Sequence, residues 1–167
     1  MSTLVHVCPS FINLFHVGSG FGQDFLSLDE MISEAKARNE YAITWQESAR
    51  VRDELIKVFE ACSAKNWDGY GAEPISYSAI SDAIAFAEKL PSSIPTPEVI
   101  PEPDGEVALE WYVAKDRMLV VGFDGSGKVT YSGIFGPGNT VAGSEHSAAI
   151  FSQTIVKSLE NVFSSCL

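Results

Sequence analysis

Five acidic residues, Glu98, Glu102, Asp104, Glu106 and Glu110, follow one another with no lysine or arginine between Lys89 and Lys115. Paired carboxylates can move protons or hold a cation, but only where burial or crowding shifts their pKa values. Prolines stand among these acids, and the plainer reading is a solvated sheet edge whose charge discourages edge-to-edge pairing. Glu110 is the exception. It lies inside the alternating run Val107-Ala108-Leu109-Glu110-Trp111-Tyr112-Val113, where a carboxylate is half-buried or faces a cleft. A second candidate is the segment Asn66-Trp67-Asp68-Gly69-Tyr70-Gly71-Ala72-Glu73-Pro74. Its glycines and Asp-Gly pair mark a turn-rich loop. Trp67 and Tyr70 are costly to leave in water. Either they are core aromatics, or the loop lies over the Glu110/Tyr112 face. In the second case Trp67, Asp68, Tyr70, Glu110 and Tyr112 form a binding surface. Aromatics combined with carboxylates suit a partner that brings Arg or Lys.

The remaining motifs argue against familiar chemistries. Gly18-Ser19-Gly20-Phe21-Gly22 lacks the Gly-Lys-Ser/Thr of a P-loop and the strand–glycine–helix setting of a dinucleotide site. Asp124-Gly125-Ser126-Gly127-Lys128 lacks the alternating oxygen ligands and distal glutamate of a calcium loop and reads as a hairpin turn. His6, His16 and His146 show no metal spacing, and Cys8, Cys62 and Cys166 form no CxxC. Cys–His nucleophile pairs form through space, so spacing alone does not assign one. No metal, no cofactor and no catalytic residue is expected, and the balance leans away from an enzyme.

Charge narrows the partners. Eleven basic residues against 22 acidic ones give a net charge of −11. Seven bases and 13 acids fall in residues 1–90 and four and nine in 91–167, so the acidity is not confined to a tail. Such a surface repels nucleic-acid phosphates and anionic membranes. It favours solubility, or a basic protein partner. No run reaches the ~18 apolar residues of a membrane span, and the apolar start of the chain has no basic flank, so a cytoplasmic protein is expected.

The elements that must position the candidates follow from periodicity. Residues 1–26 read as an apolar arm or short strand, residues 27–167 as a single domain. Ser27 and Glu30 make a capping box for a helix to about Asn39. Val51, Leu55, Val58, Phe59 and Cys62 give a second helix its apolar stripe, over about 46–64. Ser76 or Ser78 opens a third helix, to about Leu90. Five prolines from Pro91 to Pro103 then allow at most a short edge strand at Val99-Ile100. Strands are expected over 106–115, 118–123 and 128–135, joined by short turns, with Val107, Leu109, Trp111 and Val113 in the core. Met118-Leu119-Val120-Val121 is apolar on both faces, which predicts a central strand covered on both sides. A last helix over 147–164 carries Ala148, Phe151, Ile155, Leu159 and Val162. The expected class is α+β: an antiparallel meander of three to four strands packed against helices, in the order ααα-βββ-α.

The loop Asn66–Pro74, the strand Pro103-Asp104-Gly105-Glu106-Val107-Ala108-Leu109-Glu110-Trp111 and the following Phe123–Tyr131 pattern together resemble a family of small bacterial proteins with no established activity. The resemblance spans about Trp67 to Tyr131. It implies a shared fold and a bacterial or mobile-element origin, and it brings no catalytic residue. Three functional expectations remain open. One is a non-catalytic acidic protein, such as an antitoxin, immunity protein or adaptor, that masks a basic partner. The alternative is a small-molecule binder or small enzyme using an aromatic/carboxylate cleft around Glu110. A third is a structural homo-oligomer, with the N-terminal arm swapped between subunits or a sheet edge shared.

Overall fold

The alternation around Trp111 becomes the second strand of a five-stranded antiparallel sheet in a computed structural model that describes residues 23–146 and 152–163. The strands are β1 (Glu98–Pro101), β2 (Val107–Ala114), β3 (Arg117–Phe123), β4 (Lys128–Phe135) and β5 (Thr140–His146). Each pairs with its neighbour in sequence, so the sheet order is β1-β2-β3-β4-β5. The described helices are α1 (Gln23–Ala61), α2 (Tyr77–Ala87) and α3 (Gln153–Phe163). Short turns between sequential strands force the meander, and segregated helices make the class α+β. The chain divides into two units, residues 1–38 and 39–167. In the first, the described residues are helical. The second holds the sheet. The apolar arm over 1–22, with its glycine motif, lies outside the described residues, as do Cys8 and Cys166; residues 23–26 are helical.

One face of the sheet holds the core. Val107, Leu109 and Trp111 stand directly opposite Phe123, Val121 and Leu119, and all six are buried. Val129 continues the layer on β4. Val51 and Leu55 of α1, Ile80, Ala83 and Phe86 of α2, and Ile155, Leu159 and Val162 of α3 join the same cluster. Phe86 and Phe123 meet with ring centroids 5.3 Å apart at a tilt of 59°, an arrangement aromatic quadrupoles favour. Trp111 also donates its indole N–H to the Pro95 carbonyl at 2.7 Å, tying the proline-rich segment to the sheet.

Several expectations need correction. The helices expected over 27–39 and 46–64 are one continuous helix, and Ser27 falls inside it instead of capping its start. Residues 40–45 contain neither proline nor glycine, so nothing in them stops a helix. α2 ends at Ala87, short of Leu90. The sheet has five strands, not three or four. Val99-Ile100 does form the edge strand β1, with Pro101 at its end where no ladder amide is needed. β5 was not foreseen, because Thr140-Val141-Ala142-Gly143-Ser144-Glu145-His146 has little apolar alternation. α3 starts at Gln153; Ala148 and Phe151 lie outside the described residues. Val113 is 36% exposed rather than core, because the ladder between β2 and β3 shifts register between Tyr112 and Ala114. β3 is central, as its sequence suggests, but Met118 and Val120 are only half-buried and neither joins the core cluster.

Candidate interaction surface

The loop after α1 is held by its own polar side chains. Asn66 adopts a left-handed backbone (φ 64°), a conformation asparagine tolerates better than most residues. The Asn66 Oδ1 accepts the Gly71 amide at 2.7 Å. Asp68 Oδ1 accepts the amides of Tyr70 at 2.8 Å and Ala72 at 3.1 Å. These bonds hold the Asp68 carboxyl below its usual range. The Trp67 indole donates to the Glu73 carbonyl at 2.9 Å, and its ring packs against the core cluster. Lys65 meets the Glu73 carboxylate at 2.8 Å, which raises the lysine pKa. The loop is seated on the turn between β1 and β2 by Glu73 N–H to the Pro103 carbonyl (2.8 Å) and Ser76 N–H to the Gly105 carbonyl (3.0 Å). Tyr70 stands at the tip of this pinned loop and is 95% exposed.

Glu110 and Tyr112 lie on the opposite side of the sheet from the core. Alternation along β2 puts Ala108, Glu110 and Tyr112 on the face opposite the core, where Ala108 is buried, Glu110 half-buried and Tyr112 exposed. Glu110 has Glu98 of β1 directly across on one side and Val120 of β3 on the other. Ser132 of β4 and Ala142 of β5 continue the same row. Tyr112 is 60% exposed and begins a parallel row with Met118, Ile134 and Thr140. The face is therefore a broad, partly apolar surface with a pair of facing acidic residues towards one edge.

The rest of the acidic run gathers at the turn between β1 and β2. The Glu102 carbonyl accepts the Gly105 amide at 3.1 Å, and Asp104 Oδ1 accepts the Glu106 amide at 3.2 Å. Partial burial, then Asp104, raise the pKa of Glu102. Burial, then Asp104, Asp124 and Glu102, raise that of Glu106. Asp124-Gly125-Ser126-Gly127 is the hairpin turn between β3 and β4; Asp124 Oδ1 accepts both the Ser126 amide and hydroxyl, which lowers the Asp124 pKa. Cys62 is a buried free thiol whose pKa is raised by burial. Among the described residues no group of three or more His, Cys, Asp or Glu is arranged to hold a metal. None of their helices is long and apolar enough to cross a membrane.

The structure separates the two halves of the candidate surface. Trp67 packs on the helix-covered core, whereas Glu110 and Tyr112 face away from it. Trp67 is thus a support for the loop, and Tyr70 is its presented side chain. Glu110 is half-buried on the sheet face opposite the core. A small cleft of about 20 Å³, with room for a water molecule, lies elsewhere, between Val51 of α1 and the Leu90–Pro97 segment. Sequence reasoning missed Glu98 as the direct partner of Glu110. It also missed Met118, Val120 and Ile134 as the apolar part of the same face. The signal for β3 was its apolarity on both faces, and for Ile134 its parity with Thr130 and Ser132. Glu98 carried none, because pairing register is not encoded locally.

Comparison of the chain with protein-family models, with curated proteins and with solved structures found no match.

Proposed function

We propose that this chain is a non-catalytic binding protein whose sheet face opposite the core docks a basic protein partner. The observation that carries the reading is the direct cross-strand pairing of Glu98 with Glu110, next to the exposed Tyr112 on a half-apolar face. Like charges placed opposite one another weaken a sheet. An Arg or Lys from a partner, laid between the two carboxylates and over the Tyr112 ring, turns that liability into charge-assisted hydrogen bonds and a cation–π contact. The net charge of −11 adds long-range attraction for a basic surface and speeds encounter. An antitoxin, immunity protein or adaptor works by such masking, and the resemblance of the Asn66–Pro74 and Pro103–Trp111 motifs to small bacterial proteins is the ground on which a bacterial or mobile-element origin is proposed. A small-molecule site around Glu110 is less well supported, because the cleft described above lies elsewhere.

Affinity capture from a bacterial lysate, with the wild type compared against a Glu98→Gln/Glu110→Gln/Tyr112→Ala triple variant, tests the reading. The expected result is a basic protein held at low salt, weakened at high salt and lost from the triple variant. Tyr70→Ala serves as the control for the loop and retains the partner. Equal capture by the wild type and the triple variant, or no basic protein captured at low salt, overturns it.

A further inference from the structure

The two edges of the sheet are built differently. β1 is only four residues long, ends in Pro101, begins with Glu98 and follows Pro97. Proline and charge are the usual guards against strand addition. β5 is seven residues long and contains no proline, lysine or arginine. Its one acid, Glu145, points to the core side of the sheet opposite Val129. Among the described residues nothing pairs with its free side.

The register fixes which groups are free. At the mouth of the β4–β5 hairpin, Phe135 N–H donates to the Asn139 carbonyl at 2.8 Å. Bonded and non-bonded pairs alternate along an antiparallel ladder. Val141, Gly143 and Glu145 therefore spend their amide groups on β4. Thr140, Ala142, Ser144 and His146 point theirs outwards. We propose that this edge pairs with β5 of a second copy of the chain, antiparallel about a two-fold axis through Gly143, joining the two sheets into one. In that register Thr140 faces His146 and Ala142 faces Ser144, each twice by symmetry, so every outward residue meets an outward residue. Centring the axis on Ala142 or Ser144 drops His146 or Thr140 from the ladder.

Side chains agree with this register. Glu145 opposes Val141 of the other copy, so no acid faces an acid despite the acidic chain. Gly143 meets Gly143, and the ring of Tyr131 fills the space above it: a Cβ on Gly143 would lie 2.6 Å from Tyr131 Cζ. A two-fold contact sets the same patch of both copies together, and here that pairing leaves no outward amide unmatched and no acid opposed to an acid. It extends the face opposite the core across the axis, but it does not depend on the basic-partner reading.

Sedimentation equilibrium on the full chain and hydrogen exchange at two protein concentrations test the proposal. The wild type is expected to sediment at twice the chain mass. The amides of Thr140, Ala142, Ser144 and His146 are expected to be protected when concentrated and to exchange at least tenfold faster on dilution. Ala142→Pro removes one outward donor without touching the β4 ladder and is expected to give a folded monomer, whereas Glu98→Lys on the other edge leaves the mass unchanged. A wild type that stays monomeric with fast-exchanging outward amides at high concentration overturns the proposal and leaves the edge open to some other strand. A folded Ala142→Pro dimer overturns it too. If that variant does not fold, the exchange of the wild type decides the matter alone.

Discussion

Glu98 and Glu110 are direct cross-strand partners on the sheet face opposite the core, with no basic residue opposite either of them in the described ladders. Directly opposed like charges cost a few tenths to ~1 kcal/mol, and an opposite-charge pair gains a similar amount. Glu98→Lys is therefore expected to raise stability by about 0.5–1 kcal/mol in urea unfolding at low salt. The gain shrinks at high salt. The same substitution weakens capture of a basic partner, so stability and binding move in opposite directions. Equal unfolding midpoints for the two proteins at low salt would show that the carboxylates are too well solvated to repel.

The pH dependence of stability should split by residue. Glu102 and Glu106 hold protons more tightly in the folded chain than in the unfolded one, through burial first and then their acidic neighbours. Their contribution is fully present below the unfolded glutamate value of about 4.3 and is lost as pH rises through their raised folded values. Asp68 and Asp124 act the other way: backbone amides hold them ionised, and their contribution is present above about 3.9 and lost as pH falls through their depressed values. Glu106→Gln should thus be more stable than the wild type at neutral pH, with the difference gone below about pH 4. Asp68→Asn should be less stable at neutral pH, with its difference closing only in stronger acid. Urea unfolding across this range reads both, and parallel curves for either variant would contradict the assignment.

Trp111 has two roles, filling the core and anchoring the proline-rich segment. Trp111→Phe keeps an aromatic ring in the core but leaves the Pro95 carbonyl without its 2.7 Å donor. A loss of about 1–3 kcal/mol is expected from the missing hydrogen bond and the smaller ring. Protease cleavage between Pro91 and Pro97 should increase beyond what the stability loss explains. A variant as resistant as the wild type would mean that the buried Ile94 and Pro97 hold the segment without the indole.

Much of this architecture was readable from residue pattern. The period-2 run through Leu109 and Trp111 and the stripe from Val51 to Cys62 each fix which face is buried. What failed to show was pairing. β5 is an edge with a polar free side, so burial imposes no strong pattern on it. The register shift at Tyr112/Ala114 that exposes Val113 depends on the partner strand. The candidate surface was half legible for the same reason. Tyr112 and Glu110 follow from parity along one strand, but Glu98 and Val120 become their neighbours only through register. Trp67 and Tyr70 sit three residues apart in one loop yet face different environments, because Trp67 finds a carbonyl at Glu73 and the core beside it.

The seating of that loop rests on Gly105. Its φ of +92° is one that side chains rarely adopt, and a Cβ there would lie 2.9 Å from the Pro74 carbonyl oxygen. That oxygen is backbone and has little room to give. The neighbouring bonds, Glu73 N–H to Pro103 and Ser76 N–H to Gly105, bind the loop to the β1–β2 turn on both sides of the contact. Gly105→Ala should therefore cost about 1–3 kcal/mol and speed exchange of the Glu73 and Ser76 amides. Gly71→Ala is the matched control: its φ is +101°, but nothing lies within 4 Å of the added carbon. It should cost only its conformational strain, about 1 kcal/mol, and leave the Glu73 and Ser76 amides protected. If both variants release those amides equally, strain within the loop, rather than its contact with the turn, holds Tyr70 in place.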